Sequence, residues 1–151
     1  MDNIEELEER EWLTLVSRSM AELHAAMAQF SFVDTDYKFF TLPDLDARFD
    51  LFCRLKLFFN ECDSYQFGKS EDAVKGEEGS LADDFTDIYL ELKRGLNVLD
   101  AGVFNGEEEV LKLWQSGFML HWGQHLVDAQ RQLYQLRVQA LYLSVPAVRA
   151  K

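Results

Sequence analysis

Only two prolines occur in this chain, Pro43 and Pro146, and they leave long stretches without the residue that ends helices. Within those stretches the apolar residues recur at intervals of three and four, the repeat of one helix face. Leu13, Val16, Met20, Leu23, Met27 and Phe30 trace such a seam, and they predict a first helix from about Asn3 to Phe30. Asp2 or Asn3 can cap it, and Glu5 and Glu6 suit the positive end of its dipole. A loop over Ser31–Leu42 follows, with Phe32, Tyr37, Phe39 and Phe40 expected to tuck back onto the core.

Pro43 suits the first turn of a second helix, which Leu45, Phe49, Phe52, Leu55 and Phe58 or Phe59 carry to about Cys62. Asp63–Gly79, rich in glycine and acidic residues, reads as an exposed acidic loop. Ser80 is a suitable N-cap for a third helix, with Asp83 in capping-box position. Leu81, Phe85, Ile88, Leu92, Leu96 and Leu99 form its stripe, and Gly102 closes it. Asn105 or Gly106 opens a fourth helix that runs to about Ser144, where Gly117 and Gly123 can bend it or admit a close neighbour. No convincing strand is read. Four helices with short or moderate connections predict an all-α, single-domain helical bundle over residues 1–151, its chain direction alternating and its packing order open. A chain this long buries roughly 70% of the surface its unfolded form exposes, enough for a core without staples.

The formal net charge is −12. That argues against nucleic acid or an anionic membrane as partner, since both need clustered Lys and Arg. It is compatible with a basic protein partner, with bound cations, or with solubility alone. Cys53 and Cys62 lack zinc-finger spacing. The N-terminus is acidic with no apolar signal region, and no run approaches the roughly 18 apolar residues of a membrane span, so the expected compartment is the cytoplasm.

One constellation carries chemistry. On the fourth helix the apolar arc holds Trp114, Phe118, Trp122, Ala129, Leu133 and Leu136; His125 falls near its middle, with His121 and Asp128 along one edge. On the third helix Asp84, Asp87 and Glu91 flank the apolar stripe, while Asp83 points further outward. Helices that pack through their stripes bring such flanking rows together. Bundles build divalent metal sites from carboxylates and histidines on facing helices, so His121, His125, Asp84 and Asp87 are the candidate ligands. Zinc, iron or manganese suits this mixture, whereas magnesium favours carboxylates alone. The alternatives are a purely structural His–Asp cluster and an organic-ligand site. His24, without obvious polar neighbours, reads as structural or exposed.

The stretch Gly79-Ser80-Leu81-Ala82-Asp83-Asp84-Phe85-Thr86-Asp87-Ile88-Tyr89, continuing through Leu92, Lys93 and Gly95-Leu96, resembles a bacterial family known as domain of unknown function number 5063. So does Phe118, then His121-Trp122-Gly123, His125, Asp128-Ala129 and Leu133. The resemblance implies an all-α fold and carries no activity with it. The chain departs from the family pattern at Phe85 for leucine, Glu91 for aspartate and Gln124 for arginine. The last change removes a cation beside the acidic cluster. The Asp84-x-x-Asp87 pair also resembles the all-α nucleotide pyrophosphohydrolases of the MazG type, whose second acidic pair would fall on Glu5 and Glu8 or on Glu6 and Glu9. Two functional expectations result: a non-catalytic protein-interaction or binding module, and a metal-binding protein or metal-dependent hydrolase that uses the Asp/His cluster.

Overall fold

The computed structural model describes residues 2–30, 44–66, 78–102 and 104–144, with side chains described at 10–30, 44–66, 78–102 and 104–141. Helix α1 spans Asp2–Ala28, α2 Leu45–Phe59, α3 Leu81–Asp100, α4 Gly106–Gly117 and α5 Gly123–Ser144. A π-helical turn, Phe118–Trp122, joins α4 to α5, so the predicted fourth helix is one rod with a wide turn inside it. The expected aromatic loop, Pro43, the acidic side chains of residues 5–9 and the middle of the acidic loop lie outside the described residues.

The chain direction alternates. Arg10 reaches the Ala140 carbonyl while His24 meets Gln130, so α1 and α5 run antiparallel. The Gln130 contact supplies His24 with a polar partner that its sequence neighbours did not suggest. Trp12 packs edge-on against Phe58 and Phe59 at the far end of α2. Helix α3 lies antiparallel to α2 and to the α4–α5 rod, and it touches α2, α4 and α5. The result is an up-down-up-down bundle with α3 most central among its neighbours. Leu13, Met20 and Met27 of α1 meet Ile88, Trp122, Leu126 and Leu133 in one part of the core. Phe59, Tyr65, Leu81, Ala82 and Ala129 form the other, with Trp12, Phe85 and Leu136 packed against both. None of the described helices is long and apolar enough to cross a membrane.

Helix α2 presents a different face from the one its first apolar residues mark. Leu45 and Phe49 are 69% and 65% exposed, whereas Phe52, Leu55 and Phe59 pack inward. Asp44 caps this helix, accepting the Ala47 N–H at 3.0 Å.

The start of α3 is held by a residue outside the helix. Asp63 is 1% exposed, although it opens a segment that reads as an exposed loop. Its carboxylate accepts the Ala82 N–H at 2.8 Å, accepts the Ser80 hydroxyl and pairs with Lys56. Ser80 Oγ in turn accepts the Asp83 N–H, as an N-cap should. Just beyond Asp63, Ser64–Gln66 (β1) pairs antiparallel with Glu78–Ser80 (β2), in register Ser64↔Ser80 and Tyr65↔Gly79. This two-stranded ribbon is absent from the sequence reading. It is too short to show a period-two pattern, and the pairing positions the buried Tyr65.

The π turn solves a phase problem. Leu113 and Trp122 are both buried, yet along an unbroken α-helix they would stand about 180° apart. A π turn holds one extra residue and rotates the helix beyond it by about 100°, which brings the two buried faces onto the same side of the bundle. Gly123 donates its N–H to the Phe118 carbonyl to close the wide turn. A Cβ on Gly123 would stand 2.2 Å from that carbonyl oxygen, so the turn as built requires glycine there.

Candidate metal centre

The α3–α5 seam brings the two polar rows together. Asp84 and Asp87 lie on α3 beside Ile88 and are 4% and 7% exposed. Across the seam stand His125, in the first turn of α5, and His121, in the π turn, with ring centroids 5.1 Å apart.

Asp84 has both oxygens engaged. His125 Nδ1 lies 2.8 Å from Oδ1, and the Tyr65 hydroxyl donates to Oδ2 at 2.5 Å. An ionised carboxylate only accepts, so with Asp84 charged the proton of this contact sits on His125 Nδ1. When the imidazole is neutral, its lone pair is therefore on Nε2. That atom faces Asp87 Oδ2 at 3.4 Å. Within the predicted ligand set Asp84 takes an orienting place behind His125, with His125 Nδ1 on one oxygen and the Tyr65 hydroxyl on the other.

Asp87 receives the fork of Arg48 from α2: Nε donates to Oδ1 at 2.8 Å and an Nη to Oδ2 at 3.0 Å. The same Nη reaches Asp83 Oδ1 at 2.8 Å. Asp87 Oδ2 also faces His121 Nε2 at 3.7 Å. Glu91, one turn further along α3, lies 3.7 Å from His121 Nδ1 and 3.8 Å from Arg94. Asp128 stands apart from this set. It accepts from Gln124 at 2.9 Å and acts on Asp84 and Tyr65 only through its charge.

The environment holds protons on the cluster. The Asp84 hydrogen bond raises the His125 pKa against the opposing effect of burial. Burial raises the Asp84 pKa, and its bonds from His125 and Tyr65 only partly offset this. Burial, then the bond to Asp84, pushes the Tyr65 hydroxyl up, so it stays a donor. The Asp87 and Asp83 carboxylates hold Arg48 charged.

One donor atom from each of Asp87, His121 and His125 can be chosen so that all lie within 4.8 Å of one another. Donors bound at 2.0–2.1 Å around a tetrahedral ion stand roughly 3.3–3.4 Å apart. The 3.4 Å and 3.7 Å separations from Asp87 Oδ2 to the two imidazoles are close to that spacing. The His121 side chain is 49% exposed, which opens the group to solvent.

Two members were missed by the sequence reading. Arg48 left a signal: Arg48, Phe52, Leu55 and Phe59 recur at four, three and four, placing a cation within the inward face of α2. It supplies from another helix the positive charge that Gln124 does not. Tyr65 left none, because its stretch reads as exposed loop. A Cβ on Gly79 would stand 2.3 Å from the Tyr65 ring, so this glycine lets the ring cross the ribbon towards Asp84.

Fold and cluster together define an all-α bundle with a histidine–carboxylate group at a helix seam. The family model described as "Domain of unknown function (DUF5063)" matches residues 1–139, and the chain belongs to that family. A solved structure, protein BF1032 from Bacteroides fragilis, superposes with a TM-score of 0.65 at 20% identity, covering 96% of this chain and 87% of that one. At that identity the likeness concerns the fold alone. No curated protein matches the chain.

Proposed function

We propose that the protein binds a divalent metal ion through Asp87, His121 and His125. The observation that carries this reading is the convergence of one donor atom from each residue within 4.8 Å. Two features support it. Asp84 fixes the His125 tautomer from behind, the arrangement by which a carboxylate orients a metal-ligating imidazole. Four carboxylates, Asp83, Asp84, Asp87 and Glu91, outnumber Arg48 and Arg94, so a cation is the species the site attracts. Three protein ligands leave a fourth position for water or a substrate atom, as in catalytic rather than purely structural sites, so a metal-dependent hydrolase belongs to the same reading.

The test is thermal melting of untagged, chelator-treated protein with added Zn²⁺, beside elemental analysis of the protein as purified. Free metal at about a hundred times Kd should stabilise the fold by about 2.7 kcal/mol. His121→Ala should remove most of that rise. A melting temperature indifferent to Zn²⁺, Mn²⁺, Fe²⁺ and Co²⁺ would end the proposal and leave the cluster structural.

A second reading, a protein-interaction module for a basic partner, draws on the −12 charge and on the exposed Leu57 and Phe58 of α2. A low-salt pull-down that recovers no basic protein counts against it.

A further inference from the structure

If the metal reading is right, the ion that the site takes depends on which donors remain available to it. Five of the six oxygens of Asp83, Asp84 and Asp87 already accept hydrogen bonds: two on Asp84, two on Asp87 and one on Asp83. Arg48 holds three of those five. Its fork covers both Asp87 oxygens along the edge where a bidentate ion would sit, and leaves Oδ2 facing the imidazoles.

We infer that Arg48 sets the ion class of the site by blocking bidentate use of Asp87 and by engaging Asp83. What remains is two imidazole nitrogens and the second lone pair of Asp87 Oδ2, which faces them, with Glu91 alongside. That set suits a borderline transition ion such as Co²⁺ or Zn²⁺. Ca²⁺ requires six to eight oxygens, often with a bidentate carboxylate, and Mg²⁺ requires near-octahedral oxygen coordination. Neither is satisfied while Arg48 is in place. Without Arg48, Asp87 can bind an ion through both oxygens and Asp83 Oδ1 is freed, in a pocket that has also lost its central positive charge, and both changes favour the hard ions. A flexible lysine keeps the charge without the planar fork. Arg48→Lys should therefore lie between the wild type and Arg48→Met.

The experiment rests on the metal proposal and separates the two ideas. Co²⁺ binding is followed by its visible absorption, and Ca²⁺ and Mg²⁺ binding by calorimetry. The proteins are wild type, Arg48→Met and Arg48→Lys, each first shown to be folded by circular dichroism. Wild type should bind Co²⁺ and show no Ca²⁺ or Mg²⁺ binding at comparable concentrations. In Arg48→Met the preference for Co²⁺ over Ca²⁺ should fall at least tenfold, and in Arg48→Lys it should fall by less. If Arg48→Met does not fold, the fall in Arg48→Lys decides. Wild-type protein that binds Ca²⁺ as tightly as Co²⁺ overturns the role of Arg48 and leaves the metal site standing. So does an unchanged preference in the folded variants. Wild-type protein that binds no Co²⁺ overturns the metal site and this inference with it.

Discussion

His125 donates from Nδ1 to Asp84 Oδ1 at 2.8 Å across the α3–α5 seam, with Tyr65 completing the chain on the other carboxylate oxygen. This contact joins two helices through groups that titrate, so it links stability to pH. The His125 pKa is raised in the fold above its ordinary 6.5 by the Asp84 bond. Its contribution is therefore fully present below about pH 6.5 and is lost as pH rises through the raised folded value. Asp84 is also raised, by burial, and its contribution has the same sign at lower pH. In chelator-treated protein, the gap in melting temperature between wild type and His125→Ala should be wide near pH 6 and narrower near pH 8. At the acid end His125→Ala should destabilise by roughly 1–3 kcal/mol. A gap that widens with rising pH would contradict the sign.

Gly79 sets the position of Tyr65. A methyl group there would meet the Tyr65 ring at 2.3 Å, and the backbone at Gly79 is tied by pairing with Tyr65 itself. The ring must move, and its hydroxyl leaves Asp84. Gly79→Ala should destabilise by about 1–3 kcal/mol through overpacking, more than Tyr65→Phe, which removes one hydrogen bond worth about 1 kcal/mol. Urea unfolding of both variants checks the order. Tyr65→Phe proving the more harmful would show that the ribbon absorbs the methyl group.

Asp63 should prove a major stabilising residue despite its place beside a loop. Removing its carboxylate orphans the Ala82 N–H and the Ser80 hydroxyl at the first turn of α3. Asp63→Ala should destabilise by about 2–3 kcal/mol, and Lys56→Ala by far less, since Lys56 is half exposed. Equal losses would mean that the ion pair, rather than the cap, stabilises this corner.

The helices were legible because each buries a stripe at helical spacing, as Leu13, Met20 and Met27 do on α1 and Leu81 and Ile88 do on α3. The polar rows were legible for the same reason: Asp84, Asp87 and His121 border those stripes, and His125 falls near the middle of one. Three features were not. Arg48 lay hidden because Leu45 and Phe49 suggest a different face for α2, and a single helix of this length does not fix which apolar residues turn inward. Tyr65 and Asp63 owe their burial to contacts distant in sequence, with Asp84 and with the start of α3. The π turn is encoded only as a mismatch of phase between Leu113 and Trp122, and two glycines alone do not announce it.

That turn gives the most demanding prediction. His121 lies inside it and His125 just beyond it, and residues four apart share one face with or without the wide turn. Gly123→Ala places a methyl carbon 2.2 Å from the Phe118 carbonyl oxygen, a backbone atom that no rotamer change can clear. The turn must open or revert to α geometry. Reversion would rotate α4 by about 100° relative to α5, turning the buried face of α4, Val110 and Leu113, away from the core. Gly123→Ala should therefore destabilise the fold by roughly 1–3 kcal/mol while a rise in melting temperature on adding Zn²⁺ persists, since both imidazoles stay on the side of α5 that faces Asp87. Gly117→Ala is the control. A methyl there meets side-chain atoms, Trp122 Nε1 at 2.9 Å and Glu91 Oε2 at 3.5 Å, so no backbone atom of the turn is blocked and the metal response should persist. A Gly123→Ala protein that no longer responds to Zn²⁺ would show that His121 needs the π turn to reach the ion.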